Sequence, residues 1–394
     1  MRSAFAGRVP TLWHGQGAAA RLSTQFAEGR ETLVIADSAV AIPDPPGRGV
    51  GTIELDARAV DVTTVVDLAA EIARRSPNLI VAIGGGSVLD ASKIAALALA
   101  PGRLLDYAIE RASTSALVFL PDAPPPVDVV AVPTTLGTSS ETNSVGILKN
   151  DHGYRLICGR SLRPRHAVID PRNLMTLSPA AVREGALEAF LRLAGAATSS
   201  RRSRRGDSDA VAIGRALLNT AARDTASAAS RLRLARLSAL TQRSAALRGE
   251  DPYSARHWYV ANEVAFALGV RKMVATVAVI PPIWRRIRAG DARWGDRASL
   301  ESFWRRVAGG LALPLDPSRG ISALIDRWEI SLPRRPTAHE FGAIAVATER
   351  SWGHRYPMLP GLVEEDIRGV LRDSRWSPLT AAAPTDFRRL ARRR

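Results

Sequence analysis

Up to Ile169 the apolar positions of the chain come in short unbroken runs separated by amphipathic stretches. The runs predict strands over Thr32–Ala36, Leu79–Ile83, Ala116–Leu120, Val129–Val132 and Ala167–Ile169, since a strand buried on both faces reads as continuous apolar sequence. Between them, apolar residues recurring at three and four predict helices over Ala59–Arg75 and Leu89–Ala100. Such alternation is the pattern of a sheet covered by helices on both faces. Pro121–Pro126 reads as a stiff surface loop, because proline fixes its own φ and pushes the preceding residue out of the helical region.

From about Ser178 the strand-like runs cease and the helical spacing persists. Ser178-Pro179 puts a hydroxyl at an N-cap and a proline at the first helical position, a strong helix start. A chain of 394 residues is too long for one ordinary core. The expected architecture is therefore an α/β dinucleotide-binding domain, 1–177, followed by an all-α domain, 178–394, with a cleft between them. The arginine-rich stretch Ser199–Asp207 reads as a surface linker between two helices.

Composition narrows the classes. Apolar residues make up 46% of the chain, but arginines and prolines break every run before the roughly 18 residues that a membrane helix needs. Met1–Leu22 carries Pro10, His14 and Gln16 where a signal peptide needs unbroken apolar sequence, so a cytoplasmic location is expected. Cys158, alone, can form neither an internal disulfide nor a sulfur-ligated metal centre. The formal charge of +16 raises nucleic acid as a partner. Its distribution argues against that: the only lysines are Lys93, Lys149 and Lys272, and the arginines are spread along the chain. The densest basic runs, Arg201–Arg205 and Arg388–Arg394, read as a loop and a solvated terminus.

Candidate chemistry begins where strand Leu79–Ile83 runs into Gly84-Gly85-Gly86-Ser87 and then a helix. Glycines let backbone approach a pyrophosphate closely, and the free N–H groups of the helix start face its charge. A triple glycine alone could be only a tight turn. A second hydroxyl-rich turn, Pro133-Thr134-Thr135-Leu136-Gly137-Thr138-Ser139-Ser140-Glu141, follows the next predicted strand, and ligands sit at such strand ends in open α/β sheets. Asp37, closing Leu33–Ala36, is either a turn residue or an acceptor for an adenosine ribose; in the second role it favours NAD over NADP.

Gly84-Gly85-Gly86-Ser87-x-x-Asp90-x-x-Lys93 resembles the cofactor signature of the iron-containing alcohol dehydrogenases, and the second turn is similar to their Pro-Thr-Thr-x-Gly-Thr-Gly-Ser-Glu motif. Asp170-Pro171-Arg172-Asn173-Leu174 with Leu177-Ser178-Pro179, and Leu12–Ala18 near the start, resemble further stretches of the family, over roughly residues 10 to 285. The resemblance implies the dehydroquinate synthase-like fold and NAD held by Asp37, by Gly85, Gly86 and Ser87 at the pyrophosphate, and by Thr134, Thr135 and Thr138 on the nicotinamide side. Ser139 stands where the family has glycine, at a cost in backbone freedom and a slightly narrower pocket.

The family also implies a divalent metal held by one aspartate and three histidines, which polarises the substrate oxygen. In the matching segment Glu188 replaces the aspartate and Arg192 the first histidine; Asn262 and Lys272 fall at the other two. A guanidinium cannot ligate a metal. A second register brings in His257, which leaves two ligands, too few for a catalytic site. No metal ligand is therefore assigned, and no tightly bound iron or zinc is expected. Either Glu188, Arg192 and Lys272 form an ion-pair network filling the vacated site, or Lys272 or Arg192 serves as a fixed cation for an oxyanion, with His257 or Lys272 passing the proton. The expected activity is NAD-dependent oxidation of an alcohol or reduction of a carbonyl, on a small molecule or a modified peptide. The competing class is a non-catalytic relative that binds nucleotide or a partner protein. A homodimer is left open.

Overall fold

The computed structural model describes residues 10–40, 51–199, 202–247 and 251–377. The chain opens with β1 (Thr11–His14), α1 (Ala18–Ala27), β2 (Thr32–Asp37), β3 (Gly51–Leu55), α2 (Val62–Arg75), β4 (Leu79–Gly84) and α3 (Gly86–Ala95). It continues through α4 (Leu104–Thr114), β5 (Leu117–Phe119), β6 (Asp128–Pro133), β7 (Val145–Asn150), β8 (Gly153–Cys158) and β9 (His166–Ile169). The remainder of the described chain is helical: α5 (Pro179–Ala197), α6 (Arg204–Arg223), α7 (Ala228–Arg243), α8 (His257–Leu268), α9 (Lys272–Arg288), α10 (Arg297–Ala308), α11 (Pro317–Arg327), α12 (Ala338–Trp352) and α13 (Glu364–Arg372).

Six strands form one parallel sheet in the order β1-β9-β6-β4-β2-β3. At its centre β4 is buried at every position, which is why its sequence reads as an uninterrupted apolar run. Leu33, Ile35, Ile80 and Ala82 face one helical layer; Val34, Ala36, Val81 and Ile83 face the other. α2 shows how sequence makes the layer. Asp61 caps its start by accepting from Thr64 N at 3.0 Å, and Val65, Leu68, Ala69 and Ile72 form the buried stripe.

Two expectations need correction. Ala116–Leu120 does contain a strand, β5, but it belongs to a separate three-stranded sheet, β5-β8-β7, pairing parallel with β8. Its partner comes from the β7–β8 hairpin, whose apolar stretches are short and interrupted by Arg155 and Lys149. The stretch Ser199–Asp207 is not all linker: Ser203 caps α6 by accepting from Gly206 N at 3.0 Å, and Arg204–Asp207 form the first turn. Arg202 pairs with Asp207, so part of this basic run is neutralised internally; Arg201 and Arg388–Arg394 lie outside the described residues. No helix among the described residues is long and apolar enough to cross a membrane.

The helical half begins with α5, capped as expected by Ser178 accepting from Ala181 N at 3.2 Å, and Gly185 of this helix lies against the turn that follows β6. Inside α9 stand Pro281 and Pro282. Lacking amide hydrogens, they leave the carbonyls of Val277 and Ala278 without their usual helical donors. Arg375 N, from the end of the described chain, donates to Ala278 O at 3.1 Å.

Candidate active site at the carboxyl edge of the sheet

Register aligns the candidate cofactor residues. Ala36 pairs with Ile83 and Gly84 with Pro133, so Asp37, the glycine turn and the threonine turn lie side by side where β2, β4 and β6 end. The connection from β2 leads outward to β3, whereas the chain leaves β4 toward β6 and β9. The crevice between strands whose connections diverge is where such sheets bind ligands.

Gly85 is the N-cap of α3, and no side chain caps that end. Ser87 is exposed beside it. A Cβ at Gly85 would lie 3.2 Å from Thr135 Cγ2, and one at Gly86 would lie 3.0 Å from Thr138 Cγ2. The two turns therefore touch through glycine backbone on one side and threonine side chains on the other. Thr134 N donates to Gly84 O at 3.0 Å, continuing the sheet into the turns. Asp37 is partly exposed and accepts from Ala39 N through Oδ1 at 3.1 Å, while its Oδ2 accepts no hydrogen bond among the described residues. An uncapped helix start, a glycine cradle and a carboxylate at the neighbouring strand end fit a dinucleotide.

The signature residues Asp90 and Lys93 have a different place. Lys93 is 1% exposed; its ammonium donates to Ser140 Oγ at 2.7 Å and Ser140 O at 3.1 Å, and lies 2.9 Å from Asp90 Oδ1. Asp90 Oδ2 accepts from Ile147 N at 3.1 Å. This buried pair braces the second turn and β7 against α3. Beside it, burial pushes the Glu141 carboxyl up to about 7, against the opposing pull of Arg192 and Lys93.

Gly185 of α5 sits directly against the second turn: a Cβ there would lie 2.4 Å from Leu136 O. One turn on, Glu188 Oε2 lies 2.7 Å from where a Cβ on Gly137 would be. Gly137 has φ +112, so glycine is required there on both counts. Ser139 adopts φ +55, the left-handed conformation in which glycine is favoured, so its backbone behaves as a glycine would despite the side chain. Its hydroxyl lies 2.8 Å from Ser238 Oγ.

Of the two readings of this segment, the ion-pair network has no counterpart among the described residues. Among the described residues Glu188, Arg192 and Lys272 make no ion pair with one another; they interact only at longer range. Arg192 turns instead to the second turn, donating to Gly137 O, Thr138 O at 3.0 Å, Thr241 Oγ1 at 2.9 Å and Ser139 Oγ at 3.3 Å. Lys272 opens α9, its ammonium 5.2 Å from the centre of the Trp258 ring. Burial brings its pKa down to about 8, although Glu188 and Glu263 pull it upward; a helix N-terminus also opposes a cation. Burial likewise raises Glu188, and Arg192 and Lys272 pull it back. Next to Lys272, Arg271 pairs with Glu184 of α5, Nη2 to Oε1 at 2.9 Å, which fixes the start of α9 against α5.

His257 is 3% exposed, and its Nε2 has no hydrogen-bond partner among the described residues. Burial, with Lys272 adding to it, holds its pKa at about 3, so the ring is neutral. Asn262, 1% exposed, donates from Nδ2 to Tyr154 O at 3.2 Å, and its Oδ1 has no partner among the described residues. Ser238 and Thr241, which meet Ser139 and Arg192 from α7, were not foreseeable: no local signal links them to a turn about a hundred residues earlier.

The fold is shared by solved dehydrogenases at low identity. The NADH-dependent butanol dehydrogenase A of Thermotoga maritima superposes with a TM-score of 0.75 over 93% of this chain and 97% of its own, at 14% identity. An iron-containing alcohol dehydrogenase of Thermococcus thioreducens gives 0.72 over 93% and 98%, at 17% identity. These likenesses define an N-terminal parallel α/β region followed by a mainly helical one. A family model described as iron-containing alcohol dehydrogenase matches residues 10–171. The phosphonoacetaldehyde reductase of Streptomyces viridochromogenes is 37% identical over 275 residues, 67% of this chain and 68% of its own. The chain belongs to the iron-containing alcohol dehydrogenase family and is an oxidoreductase acting on a CH–OH or carbonyl centre.

Proposed function

We propose that the protein interconverts a small aldehyde and its alcohol with NAD as the partner, and that Lys272 takes the part a metal would play. The observation that carries this reading is the Lys272 ammonium. Among the described residues it makes neither hydrogen bond nor ion pair, yet it lies within electrostatic reach of Glu188, which borders the second turn.

A divalent metal does not fit the donors at the matching positions. Arg192 is a cation whose terminal nitrogens are already bonded, Lys272 is a second cation, and Asn262 turns its amide nitrogen to Tyr154. Among the described residues no three or more His, Cys, Asp or Glu side chains gather. A third positive charge beside Glu188 would be repelled.

The dinucleotide is assigned to Asp37 at the adenosine ribose, to the backbone of Gly85 and Gly86 with Ser87 at the pyrophosphate, and to Thr134, Thr135 and Thr138 beyond. Bound there, it supplies the hydride for reduction and accepts it in oxidation. Lys272 holds a positive charge for the oxygen that becomes alkoxide and, with its pKa near 8, gives that oxygen a proton. Glu188 favours the charged ammonium. His257 is too weak a base to share the role and acts as a packed, neutral ring. Small aldehydes carrying an acidic group are the favoured substrates, because the relative at 37% identity is named for phosphonoacetaldehyde.

The test is NADH oxidation with a panel of acidic and neutral aldehydes, run with and without chelator, alongside elemental analysis. Turnover that survives chelation, falls at least about a hundredfold in Lys272→Ala and accompanies far less than one equivalent of iron or zinc supports the proposal. Stoichiometric metal lost together with activity refutes it.

A further inference from the structure

We infer that Arg192 is a positioning residue for the nicotinamide half of the cofactor, a tie-bar that sets the second turn against the first. The inference rests on the NAD reading above. The terminal nitrogens of Arg192 reach four acceptors: Gly137 O, Thr138 O, Ser139 Oγ and Thr241 Oγ1. One terminal nitrogen serves the two carbonyls, and the other serves the two hydroxyls. That geometry is the planar fork of arginine; a lysine offers one point charge in its place.

What the fork holds is the strained half of the second turn, on the side away from the Asp90–Lys93 brace. Ser139 is in the left-handed region without being glycine, and such a residue persists only where its surroundings over-determine it. Here Arg192 and Ser238 hold its side chain, and Thr142 donates to its carbonyl from both amide and hydroxyl. Ser238 Oγ also accepts from Gly137 N at 3.2 Å, and Thr241 Oγ1 donates to Ser238 O at 2.7 Å. Gly137 N, Gly137 O and Thr138 O are thus all tied to α5 and α7. Thr138 is the link to the cofactor, since its side chain lies against Gly86. A shift of the Thr138 backbone therefore moves the wall of the cradle, at the end away from Asp37. The bonded terminal nitrogens also leave Arg192 poorly placed to bind a substrate oxygen itself.

The inference predicts a split between the halves of the dinucleotide. Titrations of NADH and of ADP-ribose are compared for the unmodified protein, Arg192→Lys and Thr241→Val, each checked for cooperative melting. Arg192→Lys keeps the charge and loses the fork; NADH affinity should fall about tenfold, as for loss of a charge-assisted hydrogen bond, while ADP-ribose affinity stays within about twofold. Thr241→Val removes one acceptor at nearly constant volume and should show the same split at about threefold, even if Arg192→Lys fails to fold. Unchanged NADH affinity in the folded variants would overturn the inference and leave the NAD reading standing. Parallel loss of both ligands would also overturn it, as would a fall in kcat at constant NADH affinity, which would mark a direct electrostatic role. Failure of the unmodified protein to bind either ligand would remove the NAD reading and this inference together.

Discussion

Replacing Lys272 by methionine should stabilise the protein while it abolishes turnover. An ammonium whose pKa falls from 10.5 to about 8 on folding is disfavoured in the native state by roughly 3 kcal/mol, at about 1.4 kcal/mol per tenfold change. Methionine keeps much of the side-chain volume and removes that charge. It also removes the contact of the ammonium with the Trp258 ring, worth about 1 kcal/mol. The net gain is then about 2 kcal/mol near neutral pH. The sign with pH follows from proton counts. Below about 8 both the folded and the unfolded lysine are protonated, and the whole penalty is present. Between about 8 and 10.5 the unfolded chain binds the proton more than the folded one does, so the stability of the unmodified protein rises with pH and the advantage of Lys272→Met shrinks. Urea unfolding followed by tryptophan fluorescence at about pH 7 and about pH 10 reads both quantities. A variant less stable than the unmodified protein at pH 7 would refute the reasoning, since it would make Lys272 a structural ion-pair partner. In the unmodified enzyme, aldehyde reduction should decline as pH rises through about 8; a flat profile there would count against Lys272 as proton donor.

Three further outcomes are expected. Asp37→Gly should lower the preference for NAD over NADP, by about tenfold or more for loss of a charged hydrogen-bond acceptor, in competitive titrations; an unmodified protein that prefers NADP would place Asp37 away from the ribose. Gly86→Val should abolish NADH binding in a folded protein, because the first added carbon already meets Thr138 Cγ2 at 3.0 Å, and retained affinity would remove the glycine cradle from the cofactor site. Gly185→Ala should cost about 2–3 kcal/mol in chemical unfolding, since its Cβ would lie 2.4 Å from the backbone oxygen of Leu136 and packed elements yield only by shifting; a loss under about 0.5 kcal/mol would mean α5 can slide freely on the turn.

The parts of this fold that could be read from sequence are those whose causes are local. β2, β4, β6 and β9 are buried on both faces, so their runs are unbroken. At the sheet edge β3 alternates between partly and fully exposed positions, and Gly51–Leu55 offers no such run. The β7–β8 hairpin alternates too, which hid the true partner of β5. The glycine and threonine turns were legible because each lies next to its strand. Arg192 was legible as an anomaly but not as a tie-bar, because its acceptors come from two separate segments. Asp90 and Lys93 belong to a cofactor signature, yet their partners are Ser140 and Ile147; a motif can record how a site is braced as well as what it touches.

The paired prolines of α9 bear on when the enzyme becomes complete during synthesis. Lys272 opens a helix whose middle lacks two internal donors, and the amide that serves Ala278 O belongs to Arg375, about a hundred residues downstream. A chain emerging from the ribosome makes α9 long before that donor arrives. The lysine helix is thus unfinished until nearly the whole described chain has been made, and truncation just before Arg375 would leave a buried carbonyl bare. Nascent or shortened chains would then carry the early glycine and threonine turns well before they acquire a settled Lys272.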